Sequence, residues 1–251
     1  MSPDIDGSIA LVTGAAGGIG RAISARLAAA GVSLALVDID RSGAEAVLAA
    51  LGAKGVALAA DLSTPEDVGA AVTAAEQALG PLDILVNNAG ISGVGPPKAT
   101  VDTPLEEWEK VLAVNVTAPF LFCQAVLPGM VGRGRGAVLN VASMAGLLSL
   151  PGRVSYAASK AALISLTKTL ALETARSGVR VNAICPSWAD TPFIAARMAQ
   201  PELRAQVEST IPVGRVATAD EIADAAVFLL SPASRYMTGS ALVVDGGMSL
   251  I

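Results

Sequence analysis

Apolar residues fall along this chain in short unbroken runs, separated by longer stretches in which they recur every three or four positions. Ile9 to Val12 leads into the turn-rich TGAAGGIG; RAISARLAAAG then carries the helical period, and Ser33 to Val37 is a second apolar run closed by Asp38. A short continuous run suits a strand buried on both faces, and the longer period suits a helix with one face on a core, so the opening predicts strand, helix, strand. The pattern repeats through Val56 to Ala60, a helix over about Pro65 to Leu79, Ile84 to Val86, a helix near Leu105 to Val116, and Ala137 to Val141. A long helix from about Tyr156 to Ala175 follows, then the strand Val179 to Ile184, a helix over Asp220 to Leu230 and a last strand at Ala241 to Val244. Strands that alternate with helices pair in parallel through right-handed crossovers. The expected fold is therefore α/β: a Rossmann-like, doubly wound sheet of seven parallel strands in a single domain.

One stretch breaks the alternation. Between Pro186 and Arg215 lie Pro186, Pro192, Pro201 and Pro212 together with apolar Trp188, Phe193, Ile194 and Met198, so it reads as neither a linker nor a regular element. A segment of that length inside one domain predicts a substrate lid over about residues 187–215.

Composition narrows the function. The 251 residues suit one domain, and with 53% hydrophobic but only 3% aromatic residues the core must be built from Ala, Val, Leu and Ile. Apolar stretches are broken by Arg26, Asp38, Asp61 and similar residues before the roughly 20 positions a membrane span requires, so no membrane partner is expected. Met1 to Ser8 carries Asp4 and Asp6 without a basic flank and does not read as a signal peptide. The net charge of −5 without a basic cluster sets nucleic acid aside. The absence of histidine removes imidazole bases and most catalytic zinc sites, so no metal is expected. Cys123 and Cys185 stand alone in unlike contexts, which argues against a disulfide framework and for a reducing, cytoplasmic setting.

The chemistry lies in two places. Gly14, Gly18 and Gly20 sit between a strand and a helix, where missing side chains let the backbone approach a pyrophosphate and the helix N-terminus offers it free N–H groups. Asp38, eighteen residues after Gly20, closes the next strand, where a carboxylate can bind an adenosine ribose and repel a 2′-phosphate. That favours NAD over NADP; the alternative is that Asp38 caps the following helix. Tyr156 and Lys160 are four apart on a helix, so they share a face, and an ammonium beside a phenol favours the phenolate. Such a pair is also ordinary helix surface. Ser143, at the carboxyl edge of the fifth strand, could hold a substrate oxygen beside them.

Taken in order, TGAAGGIG at Thr13 to Gly20, Asp61 with Leu62, NNAG at Asn87 to Gly90, Asn115 within VLAVNV, Ser143, and YAASK at Tyr156 to Lys160 resemble the short-chain dehydrogenase/reductase family over essentially the whole chain. The resemblance implies that Ser143 positions the carbonyl or hydroxyl, Tyr156 exchanges its proton, and Lys160 lowers the tyrosine pKa and holds the nicotinamide ribose. It implies a proton-relay water supported by Asn115, an adenine contact at Asp61 with Leu62 beside it, and a cofactor cleft lined by Asn87, Asn88, Ala89 and Gly90 together with Ile19 and Pro186. It also implies a carboxamide contact at Thr191 and a homotetramer packed through the long helix and the C-terminal region. Where the family usually has Pro-Gly, this chain has Pro186-Ser187, followed by Trp188.

Trp188 either gives the pocket an apolar wall or anchors the lid. Leu147 is a second pocket candidate, with Leu148 and Leu150 beside it; Arg153 either binds a polar substrate group or meets another subunit, and Cys185 is expected to be inert. The reading is an oxidoreductase that moves hydride between NAD(H) and a secondary alcohol or ketone, with a small hydrophobic or cyclic substrate. The runner-up is a 3-oxoacyl-[acyl-carrier-protein] reductase using NADPH, although the segment after NNAG, ISGVGPPKATVDTP, lacks the basic, leucine-rich character usual there. A catalytically idle NAD-binding regulator is the alternative from another class, and the presence of Ser143, Tyr156 and Lys160 together speaks against it.

Overall fold

The computed structural model describes residues 5–251; the first four residues of the Met1 to Ser8 stretch lie outside the described residues. The chain runs β1 (Ile9–Thr13), α1 (Gly18–Ala29), β2 (Ser33–Asp38), α2 (Arg41–Leu51), β3 (Gly55–Ala59), α3 (Pro65–Leu79) and β4 (Ile84–Asn87). It continues with α4 (Leu105–Leu112), α5 (Ala118–Arg133), β5 (Gly136–Val141), α6 (Val154–Thr174) and β6 (Val179–Pro186). The last part holds β7 (Ala189–Asp190), α7 (Ala195–Met198), α8 (Pro201–Ser209), β8 (Ala217–Thr218), α9 (Ala219–Leu230) and β9 (Ala241–Val244). Seven strands form one sheet in the order β3-β2-β1-β4-β5-β6-β9, and every neighbouring pair is parallel. This is the doubly wound, Rossmann-like α/β sheet that the alternation predicts.

Successive strand residues feed opposite faces. Ala10, Val12, Leu34, Leu36, Ile84 and Val86 pack against α1, α2 and α9, whereas Leu11, Ala35, Val37, Leu85 and Val138 pack against α3, α5 and α6. Each large aliphatic side chain buried this way contributes roughly 1.5–3 kcal/mol, so both faces of the sheet must be covered. The order of strands reverses between β1 and β4, which opens a crevice at their carboxyl ends.

Two elements differ from the sequence expectation. The helix near Leu105 to Val116 does not stop: α4 passes through a π-helical turn, Ala113–Thr117, directly into α5. Pro119 falls in the first turn of α5, where the wider turn has already interrupted the backbone ladder, so it costs little. The combined run, Leu105–Arg133, is 29 residues long and contains an 18-residue window with a mean hydropathy of 1.7, so by length and composition it could cross a membrane. It is longer than the broken apolar pattern leads one to expect. Its Phe122, Val126 and Met130 are buried in the core layer shared with β4, β5 and α3, which accounts for the apolar composition.

The expected irregular lid is largely ordered. β7 pairs in parallel with β8, and α7 and α8 lie between them. Met198, Val207, Ile211 and Val216 form a small core of their own, with Trp188 and Ile194 packed on it. Pro201 stands at the first position of α8, where a missing N–H leaves no bond unmade; a proline that looks like a breaker here starts a helix.

Candidate active site

β1 delivers the chain to the crevice, and the turn after it is shaped by close approach. Gly14 has φ 63°, and a Cβ there would stand 2.8 Å from Ala89 Cα; a Cβ on Gly20 would collide with the Gly14 carbonyl. α1 begins at Gly17–Gly18 with no capping side chain and no acidic residue in its first turn, so the N–H groups of the Gly18, Ile19 and Gly20 turn have no built-in anion. This uncapped end, reached without side-chain obstruction, fits a dinucleotide pyrophosphate.

Asp38 closes β2 beside this turn: its Oδ2 accepts the Ala16 N–H at 2.9 Å and its Oδ1 the Asp40 N–H at 3.0 Å. It is not the cap of α2. That place belongs to Asp40, whose Oδ1 accepts the Gly43 N–H at 3.0 Å, so the capping alternative for Asp38 falls. Asp61, exposed after β3, accepts from the Ser63 N–H at 2.9 Å and hydroxyl at 2.7 Å, and these bonds hold its carboxyl below its ordinary pKa; Leu62 follows it, half-buried.

β4 ends in Asn87 and Asn88. The Thr13 hydroxyl oxygen accepts the N–H groups of Asn88 and Ala89, both at 3.0 Å, while Asn88 Nδ2 donates to the carbonyls of Thr13 at 2.9 Å and Gly14 at 3.0 Å. The glycine-rich turn and the NNAG turn are thus sewn into one floor. Asn87, expected to line the cleft with its neighbours, instead points the other way, into the core, where its Nδ2 donates to Asn140 Oδ1 at 2.9 Å. Its role is to tie β4 to β5.

α6 starts at Val154, which puts Tyr156 and Lys160 in its first two turns. Lys160 Nζ, buried, donates to the Val141 carbonyl at 2.7 Å and lies 5.7 Å from the centre of the Tyr156 ring. Burial pushes the Lys160 ammonium down to about 8, with Cys185 acting in the opposite direction. Burial also pushes the half-buried Tyr156 phenol up, opposed by a hydrogen bond with the Ser143 side chain. The family resemblance has Lys160 lowering the phenol; in this structure desolvation prevails, and the Lys160 ammonium donates to the Val141 carbonyl. Ser143 caps the short turn after β5 by accepting the Ala145 N–H at 3.1 Å.

Asn115 sits buried in the π-helical turn. Its Oδ1 accepts the Ile91 N–H and its Nδ2 donates to the Ile91 carbonyl and to Ser159 Oγ, each at 2.9 Å, and Ser159 Oγ donates to the Tyr156 carbonyl at 2.7 Å. Ser159, which the sequence reading leaves out, links Asn115 to the helix of Tyr156. Its only signal is its place inside YAASK. Gly90 meets the same cluster: a Cβ there would stand 3.2 Å from Lys160 Nζ.

Pro186 ends β6, and Thr191 lies over the start of α1, 3.4 Å from where a Gly18 Cβ would be. Trp188 belongs to the small core of the lid, and the Arg197 guanidinium lies 5.3 Å from its ring centre, so the anchoring alternative describes its packing. The aromatic ring beside Tyr156 is instead Phe193, 54% exposed and 6.2 Å from the Tyr156 ring centre. Leu147 and Leu148 are half-exposed in the loop after Ser143. Arg153 Nη2 donates to the Gly95 carbonyl at 2.7 Å, an intrachain role that neither sequence alternative foresees. Cys185 and Cys123 are buried thiols pushed up to about 11 and about 12, so neither supplies a thiolate. No group of candidate metal ligands occurs among the described residues.

The family model described as Enoyl-(Acyl carrier protein) reductase matches residues 14–249. The chain is 42% identical over 247 residues to the 2-(R)-hydroxypropyl-CoM dehydrogenase of Xanthobacter autotrophicus, covering 97% of this chain and 99% of that one. It is 41% identical to the D-threitol dehydrogenase of Mycolicibacterium smegmatis, covering 98% of this chain and 94% of the relative. Among solved structures, a 3-ketoacyl-(acyl-carrier-protein) reductase from Brucella melitensis complexed with NADH superimposes with a TM-score of 0.90 at 38% identity, covering 98% of this chain and all (100%) of that one. A putative NAD(P)-dependent gluconate 5-dehydrogenase from Beutenbergia cavernae with bound NADP gives 0.92 at 35% identity and 98% coverage of both chains. The chain belongs to the short-chain dehydrogenase/reductase family and is an oxidoreductase of secondary alcohols and ketones.

Proposed function

We propose that the enzyme oxidises small, hydrophobic or cyclic secondary alcohols with NAD, and that Tyr156 is its proton-transfer group. The observation that carries this reading is the convergence of Ser143, Tyr156 and Lys160 at the carboxyl edge of β5. Gly14, Gly18, Ile19 and Gly20 would hold the pyrophosphate, Asp38 the adenosine ribose, Asp61 and Leu62 the adenine, and Asn88, Ala89, Gly90, Pro186 and Thr191 the nicotinamide half. When bound, oxidised NAD supplies the hydride acceptor and a positive charge beside the phenol. Ser143 orients the carbinol oxygen, and the Tyr156 Oη takes its proton. Lys160 holds a charge that favours the phenolate form of Tyr156, the form able to take that proton, and Asn115 keeps the Ile91 turn and, through Ser159, the first turn of α6 in register with it. Phe193, Leu147 and Leu148 give the entrance an apolar rim, which supports a hydrophobic substrate.

Reduced-nicotinamide absorbance tests the reading. Cyclic and aryl secondary alcohols, tetritols and 2-hydroxypropyl thioethers are assayed with NAD and with NADP, beside 3-oxoacyl thioesters with NADH and NADPH. Turnover of alcohols with NAD is the expected result. Turnover confined to thioesters with NADPH would make the chain a 3-oxoacyl reductase instead.

Leu172 on α6 and the C-terminal Leu250 and Ile251 are each more than four-fifths exposed, at 84%, 85% and 85%. They support a homotetramer packed through α6 and the C-terminal region. Light scattering should give about four times the 25.0 kDa chain mass, and a 25.0 kDa particle at micromolar concentration contradicts it.

Lys160 makes a further prediction, since its native pKa of about 8 lies below the 10.5 of the unfolded chain. Between those values the unfolded state holds the proton that the native state has lost, so the contribution of Lys160 to stability rises with pH across that window. Relative to Lys160→Met, the wild type should gain up to about 3 kcal/mol of unfolding free energy from pH 8 to pH 10.5. Parallel denaturant midpoints at both ends of the window would show that Lys160 is not desolvated as described.

A further inference from the structure

One cluster of charge near the site is unused by the chemistry above. Glu107 on α4 is only 9% exposed, and Lys98 Nζ donates to its Oε2 at 2.7 Å. On the other side stands Arg153, with Nη2 on the Gly95 carbonyl at 2.7 Å and Nη1 on the Ser92 carbonyl at 3.4 Å. Carboxylate and guanidinium flank Gly93: a Cβ there would lie 2.5 Å from Glu107 Oε1 and 3.4 Å from Arg153 Nη1, and its φ of 101° is one that glycine alone adopts readily.

The ends of residues 91–98 are held as well. Ile91 exchanges both of its backbone hydrogen bonds with the Asn115 amide at 2.9 Å, and the Lys98 N–H donates to the Gly152 carbonyl at 3.1 Å. The segment therefore bridges Gly90, beside the Lys160 amine, and the turn that enters α6, with Arg153 at the position preceding the helix and three residues before Tyr156. A largely buried carboxylate is costly unless its partners stay in place, so three charges here specify a geometry that an apolar contact would leave loose.

We propose that Glu107 is a positioning residue for the reaction: with Lys98 and Arg153 it locks residues 91–98 against the first turn of α6, and this lock sets the substrate entrance beside Tyr156. The proposal rests on the reading of Tyr156 as the reacting group. Opening the lock lets the segment fluctuate, which weakens substrate binding while leaving Ser143, Tyr156 and Lys160 on their own elements.

The test compares full-length Glu107→Gln and Lys98→Met with the wild type. The measurements are amide hydrogen exchange of residues 91–98, KM and kcat for an alcohol substrate, and NADH affinity by fluorescence. Glu107→Gln should speed exchange in the segment about tenfold and raise KM about tenfold, with kcat within about twofold and NADH affinity unchanged. Lys98→Met should move exchange and KM in the same direction by less. Faster exchange with an unchanged KM would reduce the cluster to a structural role, and unchanged exchange would mean there is no lock. If Glu107→Gln fails to fold, Lys98→Met decides on the same two readouts. Full activity of a Tyr156→Phe enzyme would overturn the reading of the reacting group while leaving the exchange result standing.

Discussion

Tyr156→Phe should lower kcat by about a thousandfold while leaving NADH affinity within about threefold of the wild type. The substitution removes one oxygen. The ring keeps its place in α6 and its packing on Phe193, 6.2 Å away, so the cleft retains its shape. What disappears is the only phenol in the cleft. Histidine is absent from the chain and both thiols are held protonated, so the one remaining base of the site is the Lys160 amine, which is spent on the Val141 carbonyl. Steady-state rates and NADH fluorescence titrations of the two proteins check this. Loss of NADH binding would make Tyr156 a structural residue, and retained turnover would move the proton transfer to another group.

Asp38→Ala should shift the ratio of kcat/KM for NAD over NADP by about a hundredfold toward NADP. At an effective dielectric constant near 20, a carboxylate close to a doubly charged phosphate costs several kcal/mol, and part of that discrimination goes with the charge. The same carboxylate accepts the Ala16 and Asp40 N–H groups, so alanine also loosens the glycine-rich turn. Asp38→Asn separates the two effects, because the amide oxygen can still accept while the charge is gone. It should relax the cofactor ratio with a smaller loss of NAD affinity than alanine causes. A ratio unchanged in both variants would remove Asp38 from cofactor selection.

The sheet was legible because each strand is a short apolar run buried on both faces; the predicted β2, β4, β6 and β9 agree with the structure to within a residue or two at each end. Asp38 and Ser143 were legible as strand-end residues on one edge, whereas the spacing of Tyr156 and Lys160 is equally that of ordinary helix surface, and only the ordered set of motifs singled the pair out. The continuation of α4 into α5 was hidden by Pro119 and Pro128, whose cost depends on a π-helical turn that no local pattern announces. The order within the lid was hidden similarly, since Pro201 breaks a helix or starts one according to where the backbone ladder begins. Glu107 and Arg153 were illegible as neighbours because they lie on different elements and flank Gly93 only through the fold. The rise of the Tyr156 phenol depends on burial, and sequence spacing shows only that a cation is near.

In the proposed function a secondary carbinol gives up its hydride to NAD in this cleft. The most direct test uses a secondary alcohol that the enzyme turns over, labelled with deuterium at the carbinol carbon, with mass and proton spectra of the reduced nicotinamide recorded after one equivalent has formed. One deuterium in the dihydronicotinamide ring for each ketone produced is the expected result. Ketone formation with an unlabelled nicotinamide product would contradict the account.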